Sequence, residues 1–342
     1  MKALVMEEYG KIICKEVPVP EPGDDEVLVR VRACAICGSD VHGLDGSTGR
    51  RVPPIIMGHE AAGIVEKVGA NVQDLKENDR ITFDSTVYCG SCDFCTSGYV
   101  NLCGNRRVFG VSCDEYRFNG AFAEYVCVPA RVTFKLPDDV TFEQAAMVEP
   151  LSVAVHAVSL AQESKGGCVV IGCGTIGLLC AQILRSKGFS PVIVADVLDE
   201  KLALAQSLGF EHRVNTATES LQEAVTALTG GEGVVLSMDA VGIDSTLTQS
   251  IQVLKKGGEC ILVGNLCPSV TLPLQQVVSR QLVLRGSCAS SGEFPECLEL
   301  IAQKKVDVDS LISKVAPLCE GGEWFNRLYN QEPGIYKVVL NP

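Results

Sequence analysis

The sequence predicts an α/β protein in two domains: a mostly-β N-terminal part, then a doubly wound parallel sheet, with the tail returning to the first part. Two observations carry this. Residues 26–35 (Glu-Val-Leu-Val-Arg-Val-Arg-Ala-Cys-Ala) alternate apolar and polar side chains, the period of a half-buried strand. From Cys168 onward, short apolar runs instead alternate with amphipathic stretches, the pattern of βαβ units on a parallel sheet.

In chain order, further strand-like runs lie at 61–68, 80–83 and 121–128, punctuated by Gly, Pro and Asn. The texture changes at Leu151, where a helical stretch leads into the β-branched run Cys168-Val-Val-Ile171. Helices are then expected at 175–187, 199–208 and 245–256, and strands at 192–195, 234–238 and 260–263. The tail from about 288 is mixed and ends in the apolar strand Tyr336-Lys-Val-Val-Leu340.

At 342 residues the chain is long enough for two cores without disulfide or metal staples. A net charge of −13 argues against binding a nucleic-acid backbone or an anionic membrane. The pairs Arg50-Arg51 and Arg106-Arg107 read as solvated loop residues. The N-terminus turns charged at Glu7, unlike a signal peptide, and no run reaches the length of a membrane span. The 17 cysteines lie mostly in apolar runs or one tight cluster, which fits thiols used for metal and packing in a reducing compartment. The expected location is the cytoplasm.

Three constellations carry chemistry. Gly172-Cys-Gly174-Thr175-Ile176-Gly177 ends a strand and opens a helix. Its glycines permit a tight turn, close approach of a pyrophosphate, and close helix–strand packing. Asp196 ends the next strand, where a carboxylate would hold the adenosine ribose hydroxyls and repel a 2′-phosphate; Val197 and Leu198 offer no Arg to offset it. The expected dinucleotide is NAD. Asp239-Ala-Val-Gly242 and Leu262-Val263-Gly264 also end strand-like runs, so Val263 and Gly264 are nicotinamide-side candidates, or ordinary turn residues.

Cys89, Cys92, Cys95 and Cys103 can wrap one tetrahedral Zn²⁺ with no open position, as in a structural site. An iron–sulfur cluster can use comparable spacing; the rest of the chain favours zinc. A nucleic-acid zinc module would need a basic helix that is lacking here. The third set is dispersed: Cys37-Gly-Ser39-Asp40-Val-His42, His59-Glu60 and Glu149-Pro-Leu-Ser. Cys, His and a carboxylate can hold a catalytic zinc while leaving a position for water or substrate.

Gly58-His-Glu60-Ala-Ala-Gly63 with Val68-Gly69, Cys37-Gly-Ser-Asp40, the cysteine lobe and the glycine motif together resemble the zinc-containing medium-chain alcohol dehydrogenase family. Glu149-Pro-Leu-Ser-Val153 resembles its sorbitol and polyol dehydrogenase branch. The resemblance implies a GroES-like catalytic domain over 1–153, joined by 288–342, and a Rossmann coenzyme domain over 154–287. It implies that Cys37 and His59 bind the catalytic zinc, with Glu60 or Glu149 as third ligand. It implies a proton relay through Ser39 and His42; an imidazole titrates near working pH. Asp40 reads as a structural brace for His59.

The expected reaction is hydride transfer from a secondary alcohol of a polyol or sugar acid to NAD, giving a ketone, with zinc as Lewis acid. The Arg-Tyr pair of several polyol-branch members is absent from Arg285–Ser291, which points away from sorbitol itself. A phosphorylated polyol of the galactitol 1-phosphate kind and L-threonine are the alternative substrates. A non-catalytic NAD-binding sensor is the contrasting class, and it predicts loss of ligands that are all present here. A homodimer or homotetramer is expected from the resemblance.

Overall fold

The computed structural model describes all 342 residues. The chain divides into two compact units: residues 1–149, 294–304 and 311–342 form one, and 150–293 with 305–310 the other.

The first unit is built on a seven-stranded sheet. Its main path runs Thr133–Lys135, Arg80–Phe83, Glu60–Val68, Glu26–Ala35, Lys337–Asn341 and Ile312–Pro317, and Tyr125–Pro129 pairs with Glu26–Ala35 off this path. A three-stranded sheet of Lys11–Glu16, Lys2–Glu8 and Ile55–Ile56 stands apart from it. The alternation of 26–35 is realised as Val27, Val29 and Val31 in the core, all 0–2% exposed. Phe83, Phe109, Phe122 and Phe325 fill the same core. Burying each such side chain contributes roughly 1.5–3 kcal/mol.

The register decides where the site forms. In the antiparallel pairing of the Glu26–Ala35 and Glu60–Val68 strands, Ala35 lies opposite Glu60, and Val339 of the terminal strand also lies opposite Ala35. Cys37 just past one strand, His59 and Glu60 at the start of another, and Lys337 at the start of the third therefore meet at one end of the sheet.

The second unit holds six parallel strands in the order His212–Asn215, Val192–Asp196, Cys168–Ile171, Val234–Asp239, Leu254–Leu262, Val283–Gly286. Strand order reverses beside Cys168–Ile171, so this strand and Val234–Asp239 flank the switch point where such sheets bind ligands at their carboxyl ends.

Three local expectations are corrected. The strand expected at 121–128 is regular only from Tyr125 to Pro129; before it, Ala123 makes a lone bridge to Ala3. The helix expected over 245–256 ends at Gln252, because Leu254 already pairs with Val234 and opens the next strand. Cys14 and Cys319, read as thiols, are disulfide-bonded. They lie 305 residues apart in sequence, a pairing that no spacing could signal, and join the N-terminal hairpin to the turn after Ile312–Pro317. No helix is long and apolar enough to cross a membrane.

Candidate active site and nucleotide loop

Ligand atoms of Cys37, His59 and Glu60 all lie within 4.8 Å of one another. Cys37 caps the short helix Gly38–His42 with extended backbone, φ −81° and ψ 148°. Gly58 precedes His59 at φ +94°, and a Cβ there would meet Phe122 at 2.8 Å and the Cys34 sulfur at 2.9 Å, so only glycine can make this turn.

Glu60 is 1% exposed and both of its oxygens accept from Lys337 Nζ, at 2.9 and 2.7 Å. The same ammonium donates to the Ile36 carbonyl at 3.1 Å. Lys337 was hidden in what reads as an apolar terminal strand. A lysine among Val and Leu, 4% exposed, is the signal that could have found it. Burial opposes its charge, but Glu60 holds its pKa above the usual lysine value. Glu149 takes a different partner: Ser85 Oγ donates to its Oε1 at 2.9 Å, and desolvation raises its carboxyl above the ordinary range.

Behind His59 lies Asp40, 0% exposed, with Oδ1 3.5 Å from His59 Nδ1. Arg51, expected on a solvated loop, is instead buried and donates to Asp40 Oδ1 from Nε at 3.1 Å and Nη2 at 2.9 Å. Burial pushes the Asp40 carboxyl up, yet His59 and Arg51 overcome this and hold it at about 2. Desolvation works against a charged His59, but Asp40 and Cys37 raise its pKa well above the imidazole value. Ser39 Oγ accepts from Arg51 Nη2 at 3.3 Å. His42 is exposed on the same short helix, and no hydrogen bond joins it to Ser39.

A half-buried thiol with a buried imidazole and carboxylate, converging this closely, form a borderline-soft donor set of the kind zinc takes. A carboxylate stands 3.5 Å behind the imidazole, on the side where metal-ligating histidines usually have a partner. The donor set fits a zinc ion.

Cys89, Cys92, Cys95 and Cys103 likewise fall within 4.8 Å of one another. Backbone N–H groups of Ser91 and Cys92 draw the Cys89 thiol down to about 5, whereas desolvation pushes Cys95 up to about 12. Four sulfurs so close cannot all ionise without a cation between them. The lobe also fits zinc.

In the second unit, Gly172 sits at φ +96°, and a Cβ on Gly177 would lie 1.7 Å from the Gly172 carbonyl oxygen. Those two glycines are required by the chain itself. Gly174 differs: a Cβ there would meet nothing within 4 Å, and it begins the helix Thr175–Ser186 with no side-chain cap. The first N–H groups of that helix, at Thr175 and Ile176, thus face open space beside a residue without a side chain. This is a cradle for a phosphate group. Asp196 is 7% exposed and accepts from the N–H of Cys173 at 2.7 Å and of Leu198 at 3.0 Å, which ties the strand end to the glycine loop. The fold also brings Lys201 Nζ to 3.9 Å from Asp196, a cation that the sequence reading did not place there. The N–H groups of Val263 and Gly264 are both spent on the Asp239 carbonyl, and a Cβ on Gly264 would lie 2.3 Å from Val241, so packing alone requires that glycine.

Residues 23–138 match the alcohol dehydrogenase GroES-like domain, and residues 175–303 match the zinc-binding dehydrogenase domain. The chain is 34% identical to D-arabitol-phosphate dehydrogenase of Enterococcus avium over 340 residues, covering 98% of this chain and 95% of that one. It is 35% identical to L-idonate 5-dehydrogenase of Vitis vinifera over 303 residues, covering 86% and 82%. It superposes on galactitol-1-phosphate dehydrogenase from Escherichia coli with a TM-score of 0.91, at 29% identity and full coverage of both chains. With both domains matched and these relatives aligned over most of its length, the chain belongs to the zinc-type alcohol dehydrogenase family.

Proposed function

We propose that the protein oxidises a secondary alcohol of a polyol or sugar acid to the ketone, with NAD as hydride acceptor and zinc held by Cys37, His59 and Glu60. The observation that carries this is the convergence of those three ligand atoms within 4.8 Å. A bound zinc would polarise the substrate hydroxyl, and the nicotinamide would take the hydride from its carbon.

The chain's own residues supply the rest. Ser39 Oγ takes the hydroxyl proton, and exposed His42, three residues along the same helix, passes a proton to solvent. Asp40 aims the His59 ring. Lys337 holds Glu60, so that the carboxylate keeps a fixed place when ligands exchange. Glu149, anchored by Ser85, stands as the alternative third ligand. The four cysteines of the lobe hold a second, structural zinc. Gly172, Gly174 and Gly177, with the N–H groups of Thr175 and Ile176, receive the pyrophosphate. Asp196 receives the adenosine ribose and disfavours a 2′-phosphate, a preference that nearby Lys201 moderates.

The phosphorylated-polyol reading is favoured by one specific observation, the relation to D-arabitol-phosphate dehydrogenase over 98% of the chain. A second copy of the chain is the partner proposed. Leu266, Leu272, Leu274 and Val278 are 57%, 40%, 61% and 70% exposed in the segment leading into the outermost strand Val283–Gly286, whose outer edge is unpaired.

The deciding experiment is a panel of polyols, sugar acids, polyol phosphates, L-threonine and simple primary alcohols with NAD⁺, followed by NADH absorbance. Activity on an open-chain polyol or sugar acid is expected. Activity confined to primary alcohols contradicts the substrate class, and no turnover of any alcohol leaves the NAD-binding sensor.

A further inference from the structure

We propose that Arg51 is a positioning residue for the reaction: one guanidinium sets both the Ser39 hydroxyl that takes the substrate proton and the Asp40 carboxylate that aims His59. The inference rests on the functional reading above, because it needs Ser39 and His59 in those roles.

The geometry is that of a hub. Arg51 is 4% exposed. Its Nη2 donates both to Asp40 Oδ1 at 2.9 Å and to Ser39 Oγ at 3.3 Å, its Nε reinforces the Asp40 contact at 3.1 Å, and its Nη1 is tied to the Arg50 carbonyl at 3.0 Å. The Asp40 oxygen that Arg51 grips is the one 3.5 Å from His59 Nδ1, an ion-pair contact, while Nδ1 and Asp40 Oδ2 are both buried without a hydrogen-bond partner. The orientation of Asp40 is therefore set from the arginine side. A guanidinium is a rigid planar fork, so fixing the carboxylate also fixes where its remaining N–H points. A lysine, with a point charge on a flexible stem, cannot hold both acceptors in this geometry.

The chain makes room for this side chain. Val52 N–H donates to the Ser112 carbonyl at 3.0 Å and Ser112 N–H to the Arg50 carbonyl at 3.2 Å, which pins the backbone on both sides of Arg51. Gly43 sits at φ −78° and ψ −8°, a conformation open to any residue, so no turn demands glycine there. A Cβ on Gly43 would, however, lie 2.3 Å from Arg51 Cγ and 3.0 Å from its Cβ. The missing side chain at Gly43 is the slot in which the arginine stem lies.

The consequence for proton transfer follows from hydroxyl valence. A serine hydroxyl has two lone pairs and one O–H. Arg51 occupies one lone pair, leaving a single acceptor position and a single donor. The substrate proton bonds to the free lone pair as the original Ser39 O–H breaks and gives its proton to solvent water, which reaches this exposed side chain, so Ser39 ends neutral. Ser39 is exposed, and the arginine fixes which of its lone pairs stays free, which a serine without that contact would leave to rotation.

The test uses the zinc- and NAD⁺-loaded enzyme with the best substrate of the panel. In R51M, kcat should fall about 10–100-fold, the range for losing a partner that orients a metal ligand, while KM stays within about twofold. R51K should recover only part of the loss. G43A keeps the charge but fills the slot, and should lower kcat in the same direction. After Co²⁺ replaces zinc, the visible ligand-field bands of R51M should shift from those of the wild type as the His59 ring loses its brace. NADH binding to R51M, read by fluorescence, reports that the variant is folded; if it is not, R51K and G43A decide.

Wild-type kcat in R51M or G43A, full rescue by R51K, or a rise in KM alone would overturn the inference. A wild type that oxidises no alcohol removes the functional reading and this inference together. An active wild type with an indifferent R51M removes only this inference.

Discussion

The two clusters of candidate metal ligands in the first unit are built in opposite ways. Cys89, Cys92, Cys95 and Cys103 come from one short stretch of chain, and turn glycines such as Gly90 at φ +78° and Gly98 at φ +86° fold it on itself. Cys37, His59 and Glu60 are brought together only by the register of a sheet, and they sit among buried charges contributed by Asp40, Arg51 and Lys337. A local knuckle carries its own geometry and needs little from its surroundings. A dispersed site depends on distant strands and on counter-charges that keep each ligand in place, so damage to a residue that touches no metal can still reach the chemistry.

The largest expected effect separates the clusters directly. His59→Ala should lower kcat by about three orders of magnitude or more in the NADH assay, since it removes a ligand of the Lewis acid. Cys92→Ser should keep most of the turnover per folded molecule while lowering the midpoint of thermal unfolding. Equal losses of activity in both would erase the distinction between a working site and a structural one.

Next comes Lys337→Met. With the cleft stripped of zinc, it leaves Glu60 buried without its partner and should cost about 3–5 kcal/mol in denaturant unfolding. The double variant Lys337→Met with Glu60→Leu should recover most of that stability, because an apolar pair of similar size needs no counter-charge. A single variant as stable as the wild type would show that the pair is not held dry.

The glycine loop offers a comparable contrast within the second unit. Gly177→Ala forces a methyl against the Gly172 carbonyl and should cost about 1–3 kcal/mol of stability. Gly174→Ala meets nothing in the protein, so stability should hold while NADH binding weakens. If both variants bind NADH like the wild type, the cradle is not where the pyrophosphate lies. The smallest effect is at Asp196: Asp196→Ala should reduce the ratio of kcat/KM for NAD⁺ over NADP⁺ about tenfold, roughly 1.4 kcal/mol. An unchanged ratio would assign the preference elsewhere.

What could be read from the sequence follows the same division. The cysteine lobe and the glycine loop were legible because their geometry is local and their spacings reflect it. The strands at 26–35, 80–83 and 168–171 were legible because burial on a sheet imposes a visible period or a short apolar run. The parts not legible are those set by register. Arg51 looks like any loop arginine until Gly43 and Ser112 are seen to enclose it. Lys337 looks like an interruption of an apolar strand until Val339 is placed opposite Ala35. Lys201 reaches Asp196 only because its helix packs back on the strand, and Cys14 meets Cys319 across almost the whole chain. The placement of the two carboxylates was likewise beyond spacing: Glu60 converges with Cys37 and His59, while Glu149 accepts from Ser85.

The central claim is that a thiolate and, from a second point of the chain, a neighbouring imidazole and carboxylate hold one metal ion, beside a second ion in the cysteine lobe. Zinc counting on purified wild type and Cys37→Ser tests it most directly. The account predicts two zinc ions per chain in the wild type and one in the variant, with NADH still bound and turnover lost. A wild type with a single zinc, or a variant that keeps both ions and its activity, would contradict it.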